Sequence, residues 1–86
     1  MTLSILVVDD DMIICQLLTR HLSLLGHVVD AASNGIEALS AIDKKRYDIV
    51  VTDLQMPGMD GHELLMRLRQ DQPLTRAIVM TSYVTM

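Results

Sequence analysis

The chain has 86 residues, half of them apolar, a formal net charge of −4 and a single cysteine. That length allows one domain at most, Cys15 has no partner for an internal disulfide, and no apolar run approaches the ~18 residues of a membrane helix. The only basic run, Lys44-Lys45-Arg46, is too small to suggest nucleic-acid binding through this segment.

The N-terminus, Met1-Thr2-Leu3-Ser4, lacks the basic start and cleavage site of a signal peptide. A soluble cytoplasmic domain is therefore expected. Without Trp or Phe, its core should be aliphatic and rich in the seven methionines.

Ile5-Leu6-Val7-Val8 is a continuous apolar run, which suggests a strand covered on both faces. Three acids follow, Asp9, Asp10 and Asp11, the last suited to cap a helix. From Ile13 the period becomes helical, with Ile14, Leu17, Leu18, Leu22 and Leu25 on one face. Gly26 is a candidate C-terminal cap. Residues 27–31 read as a second strand at an edge. Asn34 and Glu37 have capping-box spacing and open a helix that turns Ile36, Leu39 and Ile42 inward and ends at Lys44-Lys45-Arg46.

Residues 48–52 form the third apolar run, and Asp53 stands where it stops. Pro57 and Gly58 then break the chain. Asp60 and Glu63 repeat the capping-box spacing, and Met59 and Leu64 occupy staple positions. Leu64, Leu65 and Leu68 make the inward stripe of a third helix. Beyond Pro73, Ala77-Ile78-Val79-Met80 is the fourth strand, ending at Thr81 and Ser82.

This β-α-β-α-β-α-β alternation calls for right-handed crossovers and a parallel sheet. Asp9, Asp10, Asp53 and Thr81 all leave C-terminal strand ends. They converge if the first, third and fourth strands are neighbours. Ligands bind at that lip in open α/β sheets. Three carboxylates in one pocket repel unless a cation is present, and a hard ion such as Mg²⁺ suits them. A central carboxylate can then serve as a nucleophile toward phosphorus, with the Thr81 hydroxyl as a donor to a phosphoryl oxygen. Alone, Asp9 and Asp10 could instead favour a helix start, and Thr81 could bond the backbone. Cys15, His21 and His27 show no zinc spacing and read as structural or solvent-facing.

Leu6-Val7-Val8-Asp9-Asp10, then Asp53-Leu54-Gln55-Met56-Pro57-Gly58-Met59-Asp60-Gly61, then Met80-Thr81-Ser82-Tyr83 resemble, in order and spacing, the motifs of receiver domains of bacterial two-component response regulators. The resemblance implies a doubly wound, flavodoxin-like α/β sheet, here the first four strands and three helices in order 2-1-3-4. It implies a regulatory phosphoacceptor, not an enzyme beyond slow self-phosphorylation and dephosphorylation. The phosphoryl group would come from a sensor histidine kinase or phosphotransfer domain. Asp53 lines up with the phosphorylated residue, Asp10 with the direct Mg²⁺ (or Mn²⁺) ligand, Asp9 with the acid that holds the ion through water, the Gln55 carbonyl with a further ligand, and Thr81 with the switching hydroxyl.

The family pattern continues past this sequence into a helix, a strand ending near a lysine and a last helix, so the chain resembles a truncated receiver spanning 1–86. Lys44 and Lys45 should lie at the opposite end of the sheet from Asp53. Ser82 stands where the family usually has alanine, and Tyr83 where an aromatic side chain often changes rotamer.

Two other readings stand beside this one. In the first, a truncated receiver self-associates, most simply as a dimer, through its fourth strand or bare face without a working switch. In the second, the chain is a metal-dependent phosphatase with an Asp nucleophile, disfavoured by Gln55 where a second Asp is common.

Overall fold

A computed structural model describes the backbone at 1–53, 55–56 and 59–80, and the side chains of all these except 55, 56, 59 and 60. The apolar run at the start forms β1 (Ser4–Val8), and Ile5, Leu6, Val7 and Val8 are all buried. A strand buried on both faces needs helices on both, and the chain supplies them as α1 (Met12–Leu24), α2 (Gly35–Lys44) and α3 (Gly61–Asp71). The remaining strands are β2 (Val28–Ala32), β3 (Ile49–Asp53), the two-residue β4 (Gln55–Met56) and β5 (Met59–Asp60), and β6 (Arg76–Met80).

The main sheet is parallel in the order β2-β1-β3-β6, the flavodoxin-like arrangement that the resemblance implied. β4 and β5 form a separate antiparallel pair, Gln55 with Asp60 and Met56 with Met59, which the sequence did not signal.

Alternation along the strands divides the core into two layers. Leu6, Val8 and Val50 face Ala38 and Ile42 of α2 and Leu64 and Leu68 of α3. Ile5 and Val7 face Cys15, Leu18 and Leu22 of α1, with Ile49 and Val51 packed partly against them.

Several expectations are corrected here. Leu17 is 62% exposed and Leu25 is also exposed, because the inward stripe of α1 is centred on Cys15, Leu18 and Leu22. Ile36 is 72% exposed, since Gly35, Ala38 and Ile42 take the buried face of α2. The core is not Met-rich among the described residues. Met1, Met12 and Met66 are exposed, and Tyr47 is the buried aromatic.

Local signals hold more closely. Asp11 caps α1, accepting from the Ile13 and Ile14 amides. Asn34 caps α2 by accepting from the Glu37 amide at 2.8 Å. The Glu37 carboxylate reaches back to the Ser33 amide, one residue further than a standard capping box. These bonds hold the Glu37 carboxyl below its ordinary range, the Ser33 hydroxyl most strongly. Gly26 ends α1 at φ 96°, while its amide donates to Ser23 and that of His27 to Leu22. This is a Schellman closure. The expected capping by Asp60 and stapling by Met59 lie outside the described residues.

A polar knot ties the N-terminal end of β3. The Gln72 side-chain amide is buried. It donates to the Ile42 and Lys45 carbonyls at 2.7 and 2.9 Å and accepts from the Tyr47 amide at 3.0 Å. The Tyr47 hydroxyl donates to Asp30 at 2.7 Å. That bond is the main reason the Asp30 carboxyl sits below its ordinary range. Burial first, then the bond to Asp30, raises the phenol. Lys45 completes the group, 3.3 Å from Asp30 and 5.3 Å above the Tyr47 ring.

Gln72→Leu is expected to lower unfolding free energy by about 2–3 kcal/mol, because two carbonyls and one amide lose their buried partner. Gly26→Ala should cost about 1–2 kcal/mol through its positive φ alone, as nothing lies within 4 Å of an added Cβ. Urea titrations check both. Unchanged midpoints would mean that neither the knot nor the cap limits stability.

Candidate functional site

The register of β1 on β3 sets the position of the acids. Val8 pairs with Thr52, so Asp9 and Asp53 follow as the next residue on adjacent parallel strands. The Asp9 amide donates to Ala32 at 3.1 Å, which carries the sheet bonding one residue past β1. Asp9 Oδ1 accepts from the Asp11 amide at 2.9 Å, a tight turn that leads into α1 and leaves Asp10 exposed at its corner. Beneath Asp53, the buried Thr52 hydroxyl donates to the Asp53 carbonyl at 3.1 Å.

One carboxylate oxygen from each of Asp9, Asp10 and Asp53 lies within 4.8 Å of the other two. Asp9 is 4% exposed and Asp53 7%. Burial is the main cause that raises the Asp9 carboxyl above its ordinary range. The Asp11 amide opposes it, and Asp53 and Asp10 add to it as like charges. Negative charges crowded this closely in a poorly solvated corner favour a cation. The donors are all hard oxygens, which suit Mg²⁺ or Mn²⁺ rather than a soft metal.

The other residues expected at the site are placed less fully. Gln55 opens β4, two residues beyond Asp53, and its side chain lies outside the described residues. β6 brings Met80 opposite Asp53. Thr81, Ser82 and Tyr83 themselves lie outside the described residues. Lys44 ends α2 and Lys45 caps it at the far end of the sheet, as expected, where Lys45 meets Asp30.

Sequence reasoning did not single out Thr52. Its signal was a lone hydroxyl residue inside an apolar strand next to the acid. Cys15 is buried on the inner face of α1, and burial raises its thiol. His27 accepts from the Leu3 amide at 3.1 Å. Both side chains are structural. Among the described residues, no helix is long and apolar enough to cross a membrane.

A parallel α/β sheet with carboxylates gathered at the C-terminal lip defines a flavodoxin-like protein with an acidic site. Residues 5–86 match the response regulator receiver domain, and the chain belongs to that family. It is 47% identical over 68 residues to Sensor protein EvgS of Escherichia coli K12, covering 79% of this chain and 6% of that protein. It is 40% identical over 79 residues to Sporulation initiation phosphotransferase F of Bacillus subtilis, covering 92% of this chain and 64% of that protein. Thermotoga maritima response regulator TrrA, solved in complex with Mg(2+)-BeF, superposes with a TM-score of 0.86 at 39% identity, over 93% of this chain and 70% of TrrA. The chain thus spans less than two thirds of the length of these two curated relatives. The receiver fold is a regulatory signalling fold.

Asp9→Asn retains an oxygen for the Asp11 amide and removes one of three crowded charges. With divalent ions chelated, its thermal midpoint should exceed that of the parent. A lower midpoint would show that the Asp9 charge is not a burden on the metal-free fold.

Proposed function

We propose that this domain is a phosphoacceptor of a two-component phosphorelay and that Asp53 receives the phosphoryl group. The observation that carries this reading is the gathering of the Asp9, Asp10 and Asp53 carboxylates within 4.8 Å at the sheet lip of a receiver-family chain. The donor would be a phosphohistidine on a sensor kinase or phosphotransfer domain, in a cytoplasmic setting. The names of the relatives, a sensor protein and a phosphotransferase, support that partner class. The net charge of −4 supports a role without nucleic acid through this segment.

A divalent cation would be held by Asp10, Asp53 and the Gln55 carbonyl, with the Asp9 carboxylate beside them. When bound, it supplies charge neutralisation at the phosphoryl oxygens. The Mg(2+)-BeF complex of TrrA supports this choice of ion. Asp53 has the part of nucleophile. One of its carboxylate oxygens attacks phosphorus, the bond from phosphorus to the donor nitrogen breaks, and the imidazole leaves with the electron pair. Burial of Asp53 at the end of a rigid strand fixes the attacking oxygen and limits water around it. The Thr81 hydroxyl donates to a phosphoryl oxygen of the product. Turnover of a separate substrate is not part of this role.

Intact mass after incubation with acetyl phosphate and Mg²⁺ tests the assignment. The parent should gain one phosphoryl group, and Asp53→Asn should gain none. Equal labelling of the Asn variant would place the acceptor elsewhere. Omitting Mg²⁺, or substituting Asp10→Ala, should reduce labelling by at least tenfold, the effect of losing about 1.4 kcal/mol of transition-state stabilisation.

A further inference from the structure

Asp10 stands at an exposed corner between two elements. β1 ends at Val8 and α1 begins at Met12. The sheet holds the chain as far as Asp9, whose amide donates to Ala32. An exposed residue keeps its conformational freedom unless both of its flanks are fixed. The place of Asp10 therefore depends on what fixes the chain beyond it.

Asp11 does so through its main chain and its carboxylate. Its amide donates to Asp9 Oδ1 at 2.9 Å. Its own Oδ1 accepts from the Ile13 and Ile14 amides at 3.0 and 3.4 Å, and its carbonyl accepts from the Cys15 amide at 3.0 Å. Its backbone is extended, at φ −83° and ψ 108°, as an N-cap requires. α1 in turn is fixed to the sheet by Cys15, Leu18 and Leu22 packed on Ile5 and Val7. The three consecutive acids are thus divided by geometry. Carboxylate oxygens of Asp9 and Asp10 gather with Asp53, whereas the Asp11 carboxylate is turned onto the first amides of α1.

We infer that Asp11 is a positioning residue: its cap on α1 sets the turn of residues 9–11 and so holds the Asp10 carboxylate in reach of Asp9 and Asp53, a role that rests on the lip taking a divalent cation. Asp53 belongs to β3, and Asp9 is bonded to β2. Asp10 is the acid whose place depends on the turn. A hard cation needs its oxygens at fixed short distances, so an Asp10 released from the turn binds it more weakly. Asp11 acts through Asp10 and touches neither the ion nor the phosphoryl group.

Substitution separates the charge of Asp11 from its cap. Ala, Asn and Ser at this position all remove the charge, while Asn and Ser keep an oxygen that caps a helix about as well as Asp does. Thermal unfolding across a Mg²⁺ series, each variant read against its own chelated midpoint, tests the role. Asp11→Ala should need about threefold more Mg²⁺ than Asp11→Asn or Asp11→Ser for the same rise in midpoint, through loss of the cap. Asp11→Gly, which costs a helix start less than Ala, is a second protein without the capping oxygen and should follow Asp11→Ala. Gly26→Ala loosens the other end of α1 and should lower the chelated midpoint while keeping the parent's Mg²⁺ dependence. Half-maximal labelling by acetyl phosphate should rank the variants in the same order. Equal Mg²⁺ dependence in the Ala, Gly, Asn and Ser variants would mean that the charge of Asp11 acts and its cap does not, which would overturn the role. A Gly26→Ala protein weakened toward Mg²⁺ as much as Asp11→Ala would also overturn it, since general loosening of α1 would then account for the loss. A parent with no response to Mg²⁺ would overturn the cation site itself, and the role of Asp11 with it.

Discussion

The parallel register of β1 on β3 is the constraint on which the site depends. Pairing of Val8 with Thr52 makes Asp9 and Asp53 neighbours at the lip, and the turn closed by the Asp11 amide adds Asp10. A shift of one residue would send every side chain of a strand to the other face. Both faces here are packed, Leu6 and Val8 against α2 and α3, Ile5 and Val7 against α1. The hydrophobic pattern thus holds the carboxylates together against their own repulsion. A domain this small buries only about 60–65% of its unfolded surface, so that repulsion is set against a modest total.

The opposite end of the sheet is built differently. There the Gln72 side chain links α2, the start of β3 and the end of α3, and each polar atom in the knot has a partner of opposite character. The Tyr47–Asp30–Lys45 group adds a bridge from β3's approach to the β2 edge. One end of the sheet is tied by this polar knot, and the other gathers three carboxylates within 4.8 Å.

Much of this was legible in the sequence because strong local signals agreed. The apolar runs at 5–8 and 48–52 marked central strands, Asp11 and Asn34 marked caps, and Gly26 marked a helix end. The acids stood out because they follow apolar strands directly. Helix faces were less legible. Leu17 and Ile36 fit a helical period as well as Cys15 and Ala38 do, and only the tertiary contacts of α1 and α2 decide which stripe turns inward. The Gln72 knot was invisible, since three of its partners are backbone groups 25–30 residues away. Met1, Met12 and Met66 were misplaced because a flexible apolar side chain is tolerated at the surface as readily as inside.

In the proposed function the folded lip, and not the unfolded chain, selects a divalent cation through its gathered carboxylates. Ligand binding to the native state alone raises the unfolding midpoint with ligand concentration. Thermal unfolding in increasing Mg²⁺ at constant ionic strength is the most direct measurement. The midpoint should climb with Mg²⁺ in the parent and stay flat in Asp10→Ala. A flat parent curve, or an equal climb in both proteins, would contradict it.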